Sequence, residues 1–273
     1  MSRSFLIGLI LGILQGIFEW LPISSEGNIT LVFAFFNLAS PTEAVAYALF
    51  LHLGTAVSAT AYYRDELVNV LGTLPDWRPQ SAFSDETTTL SFLGVASLAS
   101  GIVGIIAYLG LEHVISAVTG GTFVALIGLL LVCTGFLQRF AGGLSLGTRD
   151  EPNLVDAVLV GSLQGLAILP GVSRSGTTAS ALLLRGHDGP NSFRLSFLLS
   201  IPAALGGALI AVLDSGGIPS LSPLAAFVSI VTAAVVGYIT IDGLMRLVER
   251  VSFWAVCVGL GLLAIIGGVL LTV

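Results

Sequence analysis

Two apolar stretches of this chain are interrupted in the same way. The first contains GILQGIFEWLPISSEGN from Gly12, and the second contains GSLQGLAILPGVSRSGT from Gly161. Four pairs of identical residues are separated by the same distance along the chain, namely Gln15/Gln164, Gly16/Gly165, Ser24/Ser173 and Gly27/Gly176. In membrane proteins, Gly/Pro-interrupted segments at matching places in two halves are the best sequence indicator of a binding site. We therefore expect two related halves, with a site where the interrupted segments meet.

The composition is that of an integral membrane protein. Of the 273 residues, 55% are hydrophobic and 10% are charged, whereas about a quarter of a soluble domain is charged. Apolar stretches of about 20 residues, enough to cross a bilayer as a helix, recur along the chain and leave no room for a soluble domain. We predict a single integral domain, residues 1–273, with one repeat over about 1–140 and a second over about 150–273. Six stretches are predicted as complete spans: 42–63, 90–111, 120–138, 192–213, 223–244 and 252–273.

The two interrupted stretches, residues 4–39 and 153–184, are predicted to form re-entrant helical hairpins. They are cut at Leu21-Pro22 and at Leu169-Pro170-Gly171. Non-helical backbone at membrane depth is tolerated only where protein or a water-filled cavity covers it, so the two breaks should face each other inside the bundle. Because each half crosses the membrane three times, which is an odd number, the second half must enter from the opposite side to the first. The predicted fold is an all-α polytopic membrane protein with six transmembrane helices and two re-entrant hairpins in an inverted-topology repeat.

The arginines predict the orientation of the chain in the cell membrane. The chain has no lysine, and this topology puts Arg3 alone on one side of the membrane. By the positive-inside rule, the arginine-rich side is cytoplasmic, so both termini are expected outside. The arginines on the cytoplasmic side are Arg64, Arg78, Arg139, Arg149, Arg185, Arg194, Arg246 and Arg250.

Glu19 and Arg174 are the charged residues that the pattern places at membrane depth. A charge near the bilayer centre costs at least about 2.5 to 3.5 kcal/mol on insertion scales, so each is a functional candidate. They could bind each other, as a structural ion pair between the hairpins, or they could bind a ligand. Clustered hydroxyl groups beside both charges favour the ligand.

Small and hydroxyl residues open the second half-helix of each predicted hairpin. A helix N-terminus offers unpaired N–H groups and the positive end of the dipole, which together favour an anion such as phosphate. Arg174 would add a permanently charged, bidentate group. The alternative role for the serines is helix capping, which we expect of Ser24 in any case, and we expect capping of Glu26 as well. The residues concerned are Ser24, Ser25, Gly27 and Asn28 in one hairpin and Ser173, Ser175, Gly176 and Thr178 in the other.

His52 lies inside a predicted span, in the segment LFLHLGTAV. A polar group buried there needs a partner. The sequence leaves two roles equally open, a hydrogen-bonded packing residue and a base at the site.

The segments QGIFEWLPISSEGN and PGVSRSGTTAS are similar to the two signature motifs of the undecaprenyl pyrophosphate phosphatase family, formerly called bacitracin-resistance proteins. The resemblance covers nearly the whole chain, including FLHLGT from Phe50 and RLSFLLSIPAALGG from Arg194. It implies hydrolysis of a polyprenyl diphosphate to the monophosphate at the outer face, which recycles the lipid carrier of cell-envelope sugars. By motif position, Glu19 matches an essential acid and Ser25 an essential hydroxyl. The phosphate-binding element would be Ser173, Arg174, Ser175 and Thr178.

The chain departs from the family pattern at two positions. The family usually has a second Glu at the position of Gln15 and a His at the position of Asn28. Gln15 removes a charge that could bind a divalent ion or act as a base. The Asn28 amide cannot act as a nucleophile or general base near pH 7. Glu19 would then perform most of the acid-base chemistry, with assistance from His52.

The leading hypothesis is a lipid diphosphate phosphatase whose pocket opens to the outer face of the plasma membrane. Glu19 would activate either Ser25 or a water molecule, and Mg²⁺ or Ca²⁺ at Glu19 would help to neutralise the diphosphate. Gln15, His52 and Asn28 would contribute to substrate binding. The main alternative is a transporter that flips polyprenyl phosphates without bond cleavage, and a third is a structural membrane scaffold. The expected partners are the lipid substrate and membrane lipid, without nucleic acid; the sequence leaves open a homodimer.

Overall fold

The computed structural model describes residues 3–141, 148–218 and 222–272. This part of the chain is helical, apart from turns and three short 3₁₀ segments between Leu74 and Thr87. The helices are α1 (Arg3–Phe18), α2 (Ser25–Phe35), α3 (Pro41–Tyr62), α4 (Arg64–Gly72), α5 (Thr88–Ala117), α6 (Gly120–Ala141), α7 (Leu154–Leu166), α8 (Arg174–Leu184), α9 (Gly189–Asp214), α10 (Pro223–Arg250) and α11 (Trp254–Leu270).

Five helices of the described residues are long and apolar enough to cross a membrane, namely α3, α5, α6, α9 and α10. The chain is therefore a polytopic, all-helical membrane protein. The stretch predicted as the sixth span corresponds to α11, which has 17 residues. Helices α1 and α7, the first parts of the interrupted stretches, are also short and apolar.

Both interrupted stretches are broken where the sequence predicts. Helix α1 ends at Phe18 and α2 begins at Ser25, with Leu21-Pro22 between them. Likewise α7 ends at Leu166 and α8 begins at Arg174. Proline lacks the N–H that a helix needs and disfavours helical geometry at the residue before it. The sequence repeat thus appears in the structure as two helix–break–helix units.

Helix packing follows the same two-fold pattern. Helix α1 packs on α10 as α7 packs on α5, while α3 packs on α9 and α6 on α11. A Cβ atom at Gly16 would lie 2.9 Å from Gly237 N, and one at the matching Gly165 would lie 2.7 Å from Ser100 O. Glycine at these crossings lets two helix backbones approach closely, the usual packing of small residues between membrane helices.

The two breaks contact each other in the interior, as expected. Gly171 N in the second break donates to Ser24 Oγ in the first at 3.1 Å. Gln138 Nε2 and Cys257 Sγ donate to Pro22 O, at 2.6 and 3.0 Å. Thr134 Oγ1 donates to Gly171 O at 3.2 Å. Neighbouring helices therefore supply partners for backbone groups that the breaks release, which makes irregular backbone tolerable inside a membrane protein.

Candidate active site at the two helix breaks

Glu19 lies just after α1 and is the centre of a buried polar cluster. Its Oε1 accepts a hydrogen bond from Arg174 Nη2 at 2.6 Å. Its Oε2 accepts from Ser25 Oγ at 2.8 Å and from Gln15 Nε2 at 3.0 Å, and lies 3.2 Å from His52 Nε2. The prediction that Glu19 and Arg174 meet is confirmed. Four side chains from α1, α2, α3 and α8 converge on this one carboxylate.

Arg174 is the first residue of α8, and further contacts orient its guanidinium. Nη1 donates to Ser196 O at 3.3 Å, and the guanidinium carbon lies 5.6 Å from the centre of the Phe197 ring. A cation over an aromatic face is stabilised by the ring quadrupole. These contacts hold the cation in one orientation, with some of its surface still accessible to a ligand.

Two of the predicted serines are helix caps. Ser24 Oγ accepts from Gly27 N, and Ser173 Oγ accepts from Gly176 N, both at 3.2 Å. Each bond satisfies one of the N–H groups left unpaired at a helix start. Capping by Ser24, which we expected, is confirmed, and Ser24 adopts a positive φ of 62° at this turn. The caps leave the N–H groups of the first helical residues for another acceptor.

Ser25, Ser175 and Thr178 make different contacts. Only Ser25, of these three, bonds to Glu19. Ser175 Oγ donates to Leu21 O at 3.3 Å, which ties α8 to the first break. Thr178 Oγ1 donates to Arg174 O at 2.8 Å and lies 2.6 Å from Ser196 Oγ, so it links α8 to α9. Ser25 is therefore the hydroxyl placed beside an acceptor for its proton.

Gly27 and Gly176 lie at close approaches between the halves. A Cβ atom at Gly27 would lie 2.6 Å from Gly171 N, and one at Gly176 would lie 2.6 Å from Gln138 Nε2. Such distances cannot be accommodated without movement of the neighbouring atoms. Gly27 therefore has a packing role against backbone, and Gly176 has one for as long as Gln138 stays bonded to Pro22 O, in addition to the substrate-binding role predicted for both.

The two departures from the family pattern make different contacts. Gln15 lies in the cluster, and its Nε2 donates to Glu19 and also to Thr55 Oγ1 at 3.4 Å. Asn28 instead donates from Nδ2 to Ile23 O at 2.7 Å and to Ser24 O at 2.9 Å. These two bonds stabilise the backbone of the first break. Asn28 does not line the cavity that extends from Glu19.

His52 contacts both its own helix and the carboxylate of Glu19. Nδ1 lies 2.8 Å from Ala48 O, one turn back along α3. Because a carbonyl oxygen only accepts, Nδ1 carries a hydrogen. Nε2 faces Glu19, so a proton lies between that nitrogen and the carboxylate, on one or the other. Glu19 and His52 thus form a pair that shares a proton.

A cavity of about 310 Å³ extends from this cluster between α5, α7 and α9. Its polar end is formed by Glu19, Glu26, His52 and Arg174. Its remaining walls are mainly apolar or small residues, among them Ile105, Ile168, Pro202, Leu209 and Ile210. The cavity therefore combines a charged end with a mainly apolar wall, which is complementary to a molecule with a charged head group and an apolar tail.

Among the cavity residues that were not identified from the sequence, Glu26 and Gln164 each have a buried oxygen without a partner among the described residues. Glu26 was expected to cap α2, but Ser24 makes the observed cap, and Glu26 is instead buried on the cavity wall at 4% exposure. The expected position of Glu26 in the first turn of α2 is confirmed, whereas the capping role expected of it is corrected. Gln164 donates to Ser100 Oγ and Leu199 O, both at 3.3 Å, and its buried Oε1 has no partner among the described residues. Its equivalence to Gln15 in the repeat was the signal that could have identified it.

The groups around Glu19 do not form a binding site for a divalent cation. Both carboxylate oxygens already accept from, or face, positively polarised groups. Within the described ranges, no cluster of three or more His, Cys, Asp or Glu side chains could hold a metal ion. Mg²⁺ and Ca²⁺ prefer several oxygen ligands at one place. The predicted metal role of Glu19 is therefore not supported by the geometry of its own oxygens.

The chain is similar to known proteins over nearly its whole length. Residues 8–266 match the family model described as "Bacitracin resistance protein BacA". A curated protein of Haloarcula marismortui named undecaprenyl-diphosphatase is 53% identical over 268 residues, covering 98% of each chain. Proteins of the same name from Methanococcoides burtonii and Saccharolobus solfataricus are 39% and 37% identical. The first match covers 94% of this chain and 96% of the relative, and the second covers 97% and 96%.

Proposed function

The chain belongs to the bacitracin resistance protein BacA family, and we propose that it is a membrane phosphatase acting on undecaprenyl or another polyprenyl diphosphate. It releases inorganic phosphate and leaves the monophosphate, the lipid carrier used again in cell-envelope glycan synthesis. One observation supports the proposal most directly: Arg174, Ser25 and His52 converge on Glu19 at the polar end of a cavity whose other walls are mainly apolar or small residues. A lipid diphosphate has the same division into charged and apolar parts.

The diphosphate binds at Arg174 and at the start of α8. Arg174 can form two parallel hydrogen bonds to phosphate oxygens, and the first N–H groups of α8 add donors at the positive end of the helix dipole. The isoprenoid tail lies along the wall formed by Ile105, Leu209 and Ile210. In the free protein Arg174 is paired with Glu19, so an incoming phosphate competes with Glu19 for the guanidinium. Binding would thereby release Glu19 for proton transfer.

Ser25 is the nucleophile in this proposal. Its hydroxyl already donates to Glu19 Oε2 at 2.8 Å, the arrangement of an activated nucleophile and its base. As Ser25 Oγ bonds to the terminal phosphorus, its proton passes to Glu19, and the bond from phosphorus to the bridging oxygen breaks. Polyprenyl monophosphate leaves. Water then attacks the phosphoserine, and Ser25 Oγ recovers its proton from Glu19 as inorganic phosphate departs.

Charge stabilisation supplies most of the rate enhancement in phosphoryl transfer. Arg174 and the N–H groups of α8 provide it here. The proton between His52 and Glu19, held on His52, adds positive charge beside the phosphate and leaves Glu19 ionised to accept the proton of Ser25. The oxygens of Glu19 are already engaged by protein donors. A requirement for Mg²⁺ or Ca²⁺ stays a prediction.

The purified protein, given farnesyl or undecaprenyl diphosphate in detergent, is expected to release inorganic phosphate in proportion to the amount of protein. The assay is run in EDTA and again with added Mg²⁺ or Ca²⁺, which tests the metal requirement separately. Glu19→Gln is the inactive control, since it removes the carboxylate that receives the proton. If the wild-type protein binds the lipid but releases no phosphate at any metal or salt concentration, the polyprenyl-phosphate transporter becomes the better explanation.

The topology proposed with this function has six spans, two re-entrant hairpins, both termini outside and a cavity open to the outer face. It is supported by contacts that join arginine-bearing segments at one end of the bundle, because Glu66 lies two residues after Arg64 in the first half. Arg194 pairs with Glu66, and Arg149 Nε donates to Arg185 O at 3.0 Å. A cluster of arginines at one end is the pattern of a cytoplasmic surface.

Cysteine labelling in intact cells tests this topology. In a Cys133→Ala background, Ser116→Cys at the end of α5 is expected to react with a membrane-impermeant maleimide. Ser84→Cys, between α4 and α5, should react only after the cells are opened. Both positions are exposed. The reverse pattern, or equal labelling of the two positions in intact cells, would contradict the proposed orientation.

A further inference from the structure

Glu26 lies at the polar end of the cavity but takes no part in the proposed transfer of the phosphoryl group to Ser25. The residue is 4% exposed, and its Oε1 has no hydrogen-bond partner among the described residues. Ser24 already caps α2 through Gly27 N, so the helix start does not explain the burial of Glu26. A buried polar atom without a partner is destabilising, because it has lost its water and gained nothing in exchange. A ligand that supplies the partner is therefore favoured at this position.

The two acidic side chains of the cavity differ in their surroundings. Glu19 is engaged by Arg174, His52, Ser25 and Gln15. Glu26 lines the same cavity with an unpaired oxygen. Two carboxyl groups in different environments at one site are the arrangement that allows one to stay ionised while the other gives up a proton.

We propose that Glu26 is a catalytic acid, whose carboxyl gives its proton to the departing lipid monophosphate. A carboxyl oxygen and a phosphate oxygen are both acceptors, so they can hydrogen-bond only through a proton that one of them carries. In this proposal Glu26 carries that proton and meets the diphosphate in its neutral form. Gln15 and Asn28, which depart from the family pattern, have amides that cannot transfer a proton in this way.

The step balances with the transfer from Ser25. As Ser25 Oγ bonds to the terminal phosphorus, Glu19 takes the serine proton, and the bond to the bridging oxygen breaks. Glu26 gives its proton to that oxygen, so the monophosphate leaves as its monoprotonated form. In the second half of the reaction, the attacking water gives one proton to Glu26, and Glu19 returns its proton to Ser25. Both carboxyl groups are then in their starting states.

The inference rests on the proposed phosphatase activity, and the pH profile of the rate distinguishes the two. Glu26→Gln is expected to lower kcat about 100-fold, the usual contribution of a general acid. It should also abolish the fall in kcat at high pH, which reports ionisation of that acid. Glu26→Asp keeps a carboxyl group and should keep the fall at high pH, with a smaller loss of rate. Glu43→Gln is the matched control, because Glu43 also lies in the first turn of its helix but is exposed and bonds to Ser40.

The possible results distinguish a failure of the phosphatase proposal from a failure of the role proposed for Glu26. Wild-type protein that releases no phosphate overturns the proposed function itself. An active wild type with a Glu26→Gln variant of unchanged kcat overturns the role of Glu26 alone. A slower Glu26→Gln variant that keeps the wild-type pH profile also overturns it, because a purely structural role would lower the rate without changing the profile. If Glu26→Gln does not fold, Glu26→Asp decides: loss of its high-pH fall would overturn the proposal.

Discussion

Arg174→Lys is expected to lower kcat/KM for farnesyl diphosphate by about 10²- to 10³-fold, although it keeps the positive charge. The lysine ammonium cannot reproduce the planar fork that donates to Glu19 and Ser196 O while lying over the Phe197 ring. It also cannot make two parallel hydrogen bonds to the transferring phosphoryl group. Arg174→Ala should lower kcat/KM about 10³- to 10⁵-fold, as loss of a catalytic arginine does elsewhere in phosphoryl transfer.

The alanine variant has a second effect, on stability. Removing Arg174 leaves Glu19 buried without its closest cation, and breaking a buried ion pair from one side costs about 3 to 5 kcal/mol. Thermal unfolding is therefore measured beside the kinetics, and Arg174→Lys separates catalysis from folding. Arg246→Ala is the control, since Arg246 makes an exposed ion pair of 2.7 Å with Asp242 away from the cavity. If Arg174→Lys and Arg246→Ala retained similar activity, Arg174 would be a structural ion-pair partner.

Ser25→Ala is expected to lower kcat by at least about 10³-fold, because it removes the atom that attacks phosphorus. The fold should be nearly unaffected, since Glu19 keeps its bonds to Arg174 and Gln15. Wild-type protein quenched in acid during turnover should carry one phosphoryl group on Ser25, detectable by mass spectrometry of the peptide.

The control for Ser25→Ala is Ser116→Ala, because Ser116 is exposed and bonds locally to His113 O. It should retain full activity. A Ser25→Ala variant with near wild-type kcat and no phosphopeptide in the wild type would show that water attacks the phosphorus directly. In that case Glu19 would act as the base for water, and the assignment of Arg174 would be unchanged.

Much of the site could be predicted because the chain repeats itself. The repeated Gln, Gly and Ser positions identify equivalent parts of the two halves, and the prolines locate the breaks. The pairing of Glu19 with Arg174 followed from the high cost of isolated charge at membrane depth. Capping by Ser24 followed from local chemistry, because the N–H groups at a helix start need acceptors.

The roles of Glu26, His52 and Asn28 could not be predicted from local pattern. Glu26 occupies a first-turn position where acidic residues commonly stabilise the helix dipole, yet its side chain lies in the cavity. His52 is placed at Glu19 by the packing of α3 against the first break. Asn28 resembles a site residue by its place in the motif but bonds to the backbone beside it.

A helical membrane protein with two interrupted segments, and with an acidic and a basic residue at their breaks, could be predicted from the order of residues, because hydropathy, helix breaking and the cost of buried charge act locally along the chain. Which polar groups surround the cavity depends instead on how the helices pack. That depends on how each helix is rotated about its own axis, and the rotation is set by close packing between the halves, such as the contact of Gly27 with Gly171 N.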